Sequence, residues 1–221
     1  MKKYFITATD TDAGKTFIAC AIAKNLGQHG QVKGFKPVSA GCELLNGQLV
    51  NEDAALLAKY CNAQQSISDV NPIAFQEPIA PHIAAAQLGV SITTNDIQSH
   101  FEKLVDNSAQ YMITEGAGGW RLPLGNGEFL SDFAKSTQQA VVLVVNMKLG
   151  CLNHARLTFE SIVQDGLIVV GWVANCIEDM LYQEENLSQL NKLLSAPCLG
   201  VVPKCQSIDE ACSYLSIDQL I

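Results

Sequence analysis

Arginine is almost missing from this 221-residue sequence: Arg121 and Arg156 are the only two among 14 basic residues, set against 22 Asp plus Glu for a formal net charge of −8. A surface so poor in positive charge does not hold polyanions non-specifically, so neither nucleic acid nor an anionic membrane is an expected partner. No uninterrupted apolar run approaches the roughly 20 residues of a membrane span. The opening MKKYFITATD stops being apolar too soon for the roughly 7–15-residue core of a signal peptide. There are eight cysteines but no C-x-x-C pair, so zinc ribbons and dithiol redox motifs are excluded, and reduced, mostly core thiols in a cytoplasmic protein are expected. Repeats, low-complexity segments and linkers are also absent. At 48% hydrophobic and 16% charged residues, the chain reads as one globular domain spanning 1–221.

What is present is an alternation. Short runs rich in Val and Ile recur at Tyr4–Ala8, Val32–Phe35, Tyr111–Thr114, Ala140–Val145, Leu167–Ala174 and Cys198–Val202. They are apolar on both faces, as strands buried in a parallel sheet are. Between them, helical spacing appears at Thr16–Leu26, Ala54–Cys61, Ile97–Val105 and Ala155–Gln164, with Asn51 or Asp53 capping the second and Thr94 or Asn95 the third. Strands alternating with helices predict an α/β fold with a doubly wound, mostly parallel sheet. The stretch Ser66–Gly89, with Pro72, Pro78 and Pro81, is less regular and is expected to wrap a sheet edge.

The first run leads into ATDTDAGKT (Ala8–Thr16) and then directly into a helical segment. Gly14-Lys15-Thr16 in that context is the end of a phosphate loop of the P-loop NTPase type. Backbone N–H groups and a helix N-terminus hold phosphates, Lys15 reaches the β- and γ-phosphates, and the Thr16 hydroxyl faces Mg²⁺. The loop departs from G-x-x-x-x-G-K-[ST] at Thr9. Asp10 and Asp12 add negative charge that must face metal, amine or solvent.

Ligands of an open α/β sheet lie beyond the carboxyl ends of its strands. Lys36 stands at such an end, where Pro37 turns the chain away; it is either a solvated lysine or a second ammonium converging with Lys15 on one anion. Glu115 closes another strand and opens EGAGG, an arrangement like Walker B, with glycines that let a ligand approach the backbone. Asp53 is either a helix cap or, with Thr16 and Glu115, an oxygen ligand of one Mg²⁺. Asn175, at a further strand end, either pairs with an adenine edge or forms a turn. In NMKLGCLNHA (Asn146–Ala155), backbone N–H groups with Asn153 as cap offer a site for a carboxylate or phosphate, and Lys148 adds charge. A Cys151–His154 nucleophile is not needed to explain either residue.

The segments TDTDAGKT, GFKPVSAG, NEDA, NPIAFQEPIAPHIAA, EGAGGW, NMKLGCLNHA and GWVAN, in this order over the whole chain, resemble the dethiobiotin synthetase family of biotin biosynthesis. The resemblance implies an ATP- and Mg²⁺-dependent ring closure that joins CO₂ to diaminopelargonic acid through a carbamate and a carbamic–phosphoric anhydride. Matched motif by motif, it implies that Lys36 and Lys15 are catalytic. Asp12, Ala13, Gly14, Lys15, Thr16 and Phe17 would embrace the phosphates, and Thr16, Asp53 and Glu115 would take Mg²⁺. Glu115, Gly116, Ala117 and Gly118 would line the nucleotide–substrate cleft. Asn175 and Cys176 would meet adenine with Pro203, Lys204, Cys205 and Glu210. Thr11 and Ser39 would face substrate, while Gly150, Cys151, Leu152 and Asn153 would receive its tail carboxylate from the partner subunit of a homodimer.

Three positions depart from the family pattern: Ala8 replaces a common glycine, Ala40 stands where the substrate-binding serine belongs with Ser39 one residue earlier, and PKCQSIDE matches only in outline. The competing class is the partition and division-site switch ATPase of the same fold. Its members carry an extra lysine early in the loop, where this chain has Thr9, Asp10 and Thr11. Membrane-binding members end in a basic helix, whereas no Lys or Arg follows Lys204 here.

Overall fold

The computed structural model describes residues 1–221. Twelve strands are formed: β1 (Lys2–Ala8), β2 (Val32–Phe35), β3 (Val38–Ser39), β4 (Glu43–Leu45), β5 (Gln48–Val50), β6 (Ile73–Ala74), β7 (Tyr111–Glu115), β8 (Pro123–Gly125), β9 (Glu128–Phe129), β10 (Ala140–Asn146), β11 (Val169–Asn175) and β12 (Cys198–Val202). The helices are α1 (Lys15–Leu26), α2 (Glu52–Tyr60), α3 (Ile67–Val70), α4 (Pro81–Gln87), α5 (Thr94–Leu104), α6 (Leu130–Ser136), α7 (Cys151–Gln164), α8 (Gln183–Leu193) and α9 (Ile208–Cys212).

Six strands, in the order β12-β11-β10-β1-β7-β2, pair in parallel throughout. Alternation along each strand sends side chains to two separate cores. Phe5, Met112, Val141, Leu143, Val145 and Trp172 face one side, where α4 to α8 supply Ala84, Phe101, Phe133, Phe159 and Leu190. Their neighbours Tyr4, Ile6, Ile113, Val142, Val144 and Val173 face the other, packed by α1, α2, α3 and α9 through Ile18, Leu57, Val70 and Ala211. Burial on both faces is why these strands read as unbroken apolar runs. The fold is a doubly wound α/β sheet of the P-loop NTPase type. None of its helices is long and apolar enough to cross a membrane.

The chain reverses its direction of travel across the sheet around β1, which is flanked by β10 and β7. The register then decides what meets there. Phe35 pairs with Thr114, so the next residues along, Lys36 and Glu115, stand side by side at the carboxyl edge.

Some local expectations are corrected. Helix α5 is capped one residue earlier than Thr94, by Thr93, whose hydroxyl accepts from Asp96 N–H in a capping box. Asn153 does not cap α7: the helix starts at Cys151, and Gly150 holds the capping position with φ +95°. The stretch Ser66–Gly89 is more regular than expected, carrying α3, α4 and strand β6, which pairs with β3.

Candidate functional site

The phosphate loop spans the turn between β1 and α1. Gly14 has φ +76°, and a Cβ there would stand 2.2 Å from Asn175 Nδ2, so glycine is demanded twice over. Thr9, at the missing first glycine of the motif, needs no left-handed backbone; that conformation falls instead on Asp12, at φ 58°. Asp10 turns away from the cleft to Lys148 at 3.0 Å and His154 at 3.8 Å, so an amine neutralises it, and the positive charge expected of Lys148 is spent there.

A cleft of about 810 Å³ opens above the carboxyl ends of β1, β2 and β7. It gathers Thr11, Asp12, Gly14, Lys15, Thr16, Phe17, Lys36, Ser39, Asp53, Glu115, Ala117 and Gly118. Within it Lys36 Nζ donates to Glu115 Oε1 at 2.7 Å and lies 3.4 Å from Asp53 Oδ2, and Thr16 Oγ1 donates to the same Glu115 oxygen at 2.6 Å. Burial alone would lower the Lys36 pKa, but the two carboxylates outweigh it and hold it above the ordinary lysine value. Lys15 lacks such a partner: burial first, then the charge of Lys36, push it down. Two ammonium groups lining one cleft, one of them poorly compensated, form a receptor for an anion.

The oxygen donors also fit Mg²⁺. Glu115 Oε2 is buried without any hydrogen-bond partner, and the Thr16 hydroxyl and the Asp53 carboxylate open onto the same cleft. A magnesium ion typically needs only one or two carboxylates beside phosphates and water, so a cluster of three acidic, His or Cys side chains is not required, and none exists here.

Other residues singled out in the sequence lie elsewhere. Ala13 is fully buried in the core beneath α1, and Gly116 is buried where a Cβ would press on Phe5; both present backbone rather than side chain. Asn175 Nδ2 donates to Ala13 O at 2.8 Å, bracing the phosphate loop. Cys176, Pro203 and Lys204 line a second cavity of about 410 Å³ with Ile177, Glu178 and Asp179. Cys205 and Glu210 lie outside both cavities; Glu210 accepts from Gln206 N–H at 2.7 Å at the start of α9. Gly150, Cys151, Leu152 and Asn153 are away from the main cleft of their own chain, the Cys151 thiol buried and its N–H bonded to Lys148 O. The sequence reading missed the wall formed by Pro78, Ile79, Ala80 and Pro81; Asn51, one of the two expected caps of α2, does cap it and also lines the cleft. The only signal for that wall was the segment NPIAFQEPIAPHIAA.

A family profile described as an AAA domain matches residues 2–211. The ATP-dependent dethiobiotin synthetase BioD of Alteromonas mediterranea is 44% identical over the full length of both chains. This chain belongs to the dethiobiotin synthetase family. That of Pseudoalteromonas translucida is 45% identical over 92% of this chain and 90% of its own. Among solved structures, the MinD cell division protein of Aquifex aeolicus superposes with a TM-score of 0.56 at 16% identity, covering all of this chain and 91% of that one. This second likeness concerns the fold alone. The named activity of these relatives, an ATP-dependent synthetase, is that of a ligase that forms a C–N bond.

Proposed function

We propose that this chain is an ATP- and Mg²⁺-dependent cyclo-ligase that makes dethiobiotin from diaminopelargonic acid and CO₂. The observation that carries the reading is Lys36: a buried ammonium at the end of β2, held by Glu115 and Asp53 in the same cleft as Lys15 and Thr16. One substrate amine attacks CO₂ and, losing a proton, becomes a carbamate. A carbamate oxygen attacks the γ-phosphorus of ATP and ADP leaves. The second amine then attacks the carbonyl carbon and loses a proton as phosphate leaves, and the new C–N bond closes the ureido ring.

The obstacle is electrostatic, since a carbamate must approach a triphosphate. Lys15 would lie along the β- and γ-phosphates and regain charge stabilisation there. Lys36 would hold the carbamate oxygens and the transferring phosphoryl group, its positive charge preserved by its carboxylates. Thr16, Asp53 and Glu115 would hold Mg²⁺, which neutralises phosphate charge when bound. No side-chain nucleophile is needed. Asn175, Cys176 and the cavity beside Pro203 and Lys204 would take the nucleotide base, with Cys205 and Glu210 at its margin. Thr11 and Ser39 would meet the diamine, and Gly150–Asn153 of a second copy would receive its carboxylate, which makes the working form a cytoplasmic homodimer.

ADP release in the presence of Mg-ATP should require diaminopelargonate and bicarbonate together. Steady hydrolysis indifferent to both would overturn the proposal in favour of a switch ATPase.

A further inference from the structure

Asn71 opens the segment NPIAFQEPIAPHIAA and has been given no role so far, yet it is buried behind two cleft residues, Lys36 and Ser39. It follows α3 and precedes β6, in the stretch first read as irregular. Its carboxamide makes three bonds. Nδ2 donates to Lys36 O at 2.7 Å and approaches Ile73 O at 3.5 Å; on the other side, Oδ1 lies 2.7 Å from Ser39 Oγ. Carbonyl oxygens only accept, so the NH₂ group must face Lys36 and Ile73, and Oδ1 must face the serine. The Ser39 hydroxyl hydrogen is therefore spent on Asn71. Cys42 Sγ stands 3.1 Å from the same Ser39 oxygen, and with that hydrogen already committed the thiol must be the donor in this contact.

One lone pair then remains on Ser39 Oγ. A hydroxyl has one donor and two acceptor positions. With the donor and one acceptor taken, Ser39 can offer an incoming ligand only an acceptor. It cannot donate to a carboxylate or a phosphate, but it can receive an N–H. We propose that Asn71 is a positioning residue that fixes Lys36 through its main-chain carbonyl and sets Ser39 as an acceptor for a substrate amine. The proposal rests on the diamine reading of the cleft and sharpens it. It also gives Ser39 a defined role in a chain where Ala40 occupies the position of the family's serine.

The test uses the full-length protein, with substrate-dependent ADP release, equilibrium Mg-ATP binding and thermal unfolding measured on each variant. Wild-type ADP release must first depend on diaminopelargonate; if it does not, the proposed function falls and this inference with it. Given that dependence, Ser39→Ala should raise KM for diaminopelargonate about five- to tenfold, the value of one hydrogen bond, with kcat and Mg-ATP affinity little changed. Ser39→Thr, which keeps the hydroxyl, should recover most of the loss. Asn71→Ala should lower kcat by about tenfold or more and also raise that KM, because it releases both Lys36 and Ser39. A KM within twofold of wild type for Ser39→Ala, or wild-type kcat and KM for folded Asn71→Ala, overturns the inference while leaving the proposed function standing. If Asn71→Ala does not fold, Asn71→Ser, whose short hydroxyl cannot span Lys36 O and Ser39 Oγ, should show the same loss of kcat and rise in KM, and wild-type values in it overturn the inference.

Discussion

Replacing Lys36 with methionine keeps its bulk and removes its charge, and the structure sets what should follow. Lys36 is 3% exposed and its partner Glu115 is 1% exposed. Truncating one member of a buried pair leaves the other charged and unpaired, which costs about 3–5 kcal/mol. Asp53, whose side chain is 49% exposed, is screened by water and adds little. In a chain of this size each kcal/mol corresponds to about 2–4 °C, so Tm should fall by about 6–20 °C. The double variant Lys36→Met with Glu115→Gln should regain most of that loss, because no unpaired charge remains.

The pH dependence has a definite sign. Lys36 is held above the ordinary lysine value, so its stabilisation is complete below that value and is lost only as pH rises through the raised one. The Tm gap between wild type and Lys36→Met should therefore stay constant from about pH 6 to 9. Turnover should drop by about 10²–10³, the usual cost of removing one preorganised donor from developing charge, while Mg-ATP affinity changes only a few-fold. Scanning calorimetry and the coupled ADP assay measure the two effects separately. A variant with wild-type Tm, or one within tenfold of wild-type turnover, would refute the reasoning.

Gly14→Ala should weaken Mg-ATP binding by at least about tenfold and lower Tm, since left-handed backbone costs an alanine about 1–2 kcal/mol and its methyl would strike the Asn175 amide; isothermal titration with wild-type affinity would show that the loop tolerates the side chain. Lys15 shifts in the opposite sense to Lys36. Burial and the Lys36 charge lower its pKa, so the ligand-free protein sheds this charge below the ordinary value of 10.5, and Mg-ATP affinity should decline as pH rises toward it. A binding profile flat up to about pH 10 would contradict that. Sedimentation at micromolar concentration should give twice the chain mass, and a monomer would remove Gly150–Asn153 from the substrate site.

The legible and illegible parts of this molecule differ in how their information is carried. Strands Tyr111–Glu115 and Ala140–Asn146 match their apolar runs to within one residue because burial on both faces leaves a mark nearly all along them. Helix starts were less readable. Thr93, not Thr94, caps α5, through the T-x-x-D spacing of a capping box, and Gly150 takes the place of Asn153 at α7 as a left-handed cap, which has no side-chain signature beyond the glycine itself. The pairing of β3 with β6 involves two residues from each strand, too few for any periodicity.

The same division holds for the candidate site. Local chemistry placed the phosphate loop, since a strand, Gly14-Lys15-Thr16 and a helix are contiguous and the interaction they support is made by the backbone itself. It also marked Lys36, Asp53 and Glu115 as polar residues at element ends. Whether those three belong together is a question of register. Parallel pairing of β2 with β7 set Lys36 beside Glu115 across 79 positions of sequence, turning a strand-end lysine that could have been solvated into a buried, charged one. Asn71 shows the limit most clearly. Asn71 falls within the matched segment NPIAFQEPIAPHIAA, but nothing local says what its side chain does: the partners that give it meaning, Lys36 and Ser39, lie 35 and 32 residues away. Sequence carries what neighbouring residues do to one another; hydrogen bonds between distant residues exist only once the chain has folded.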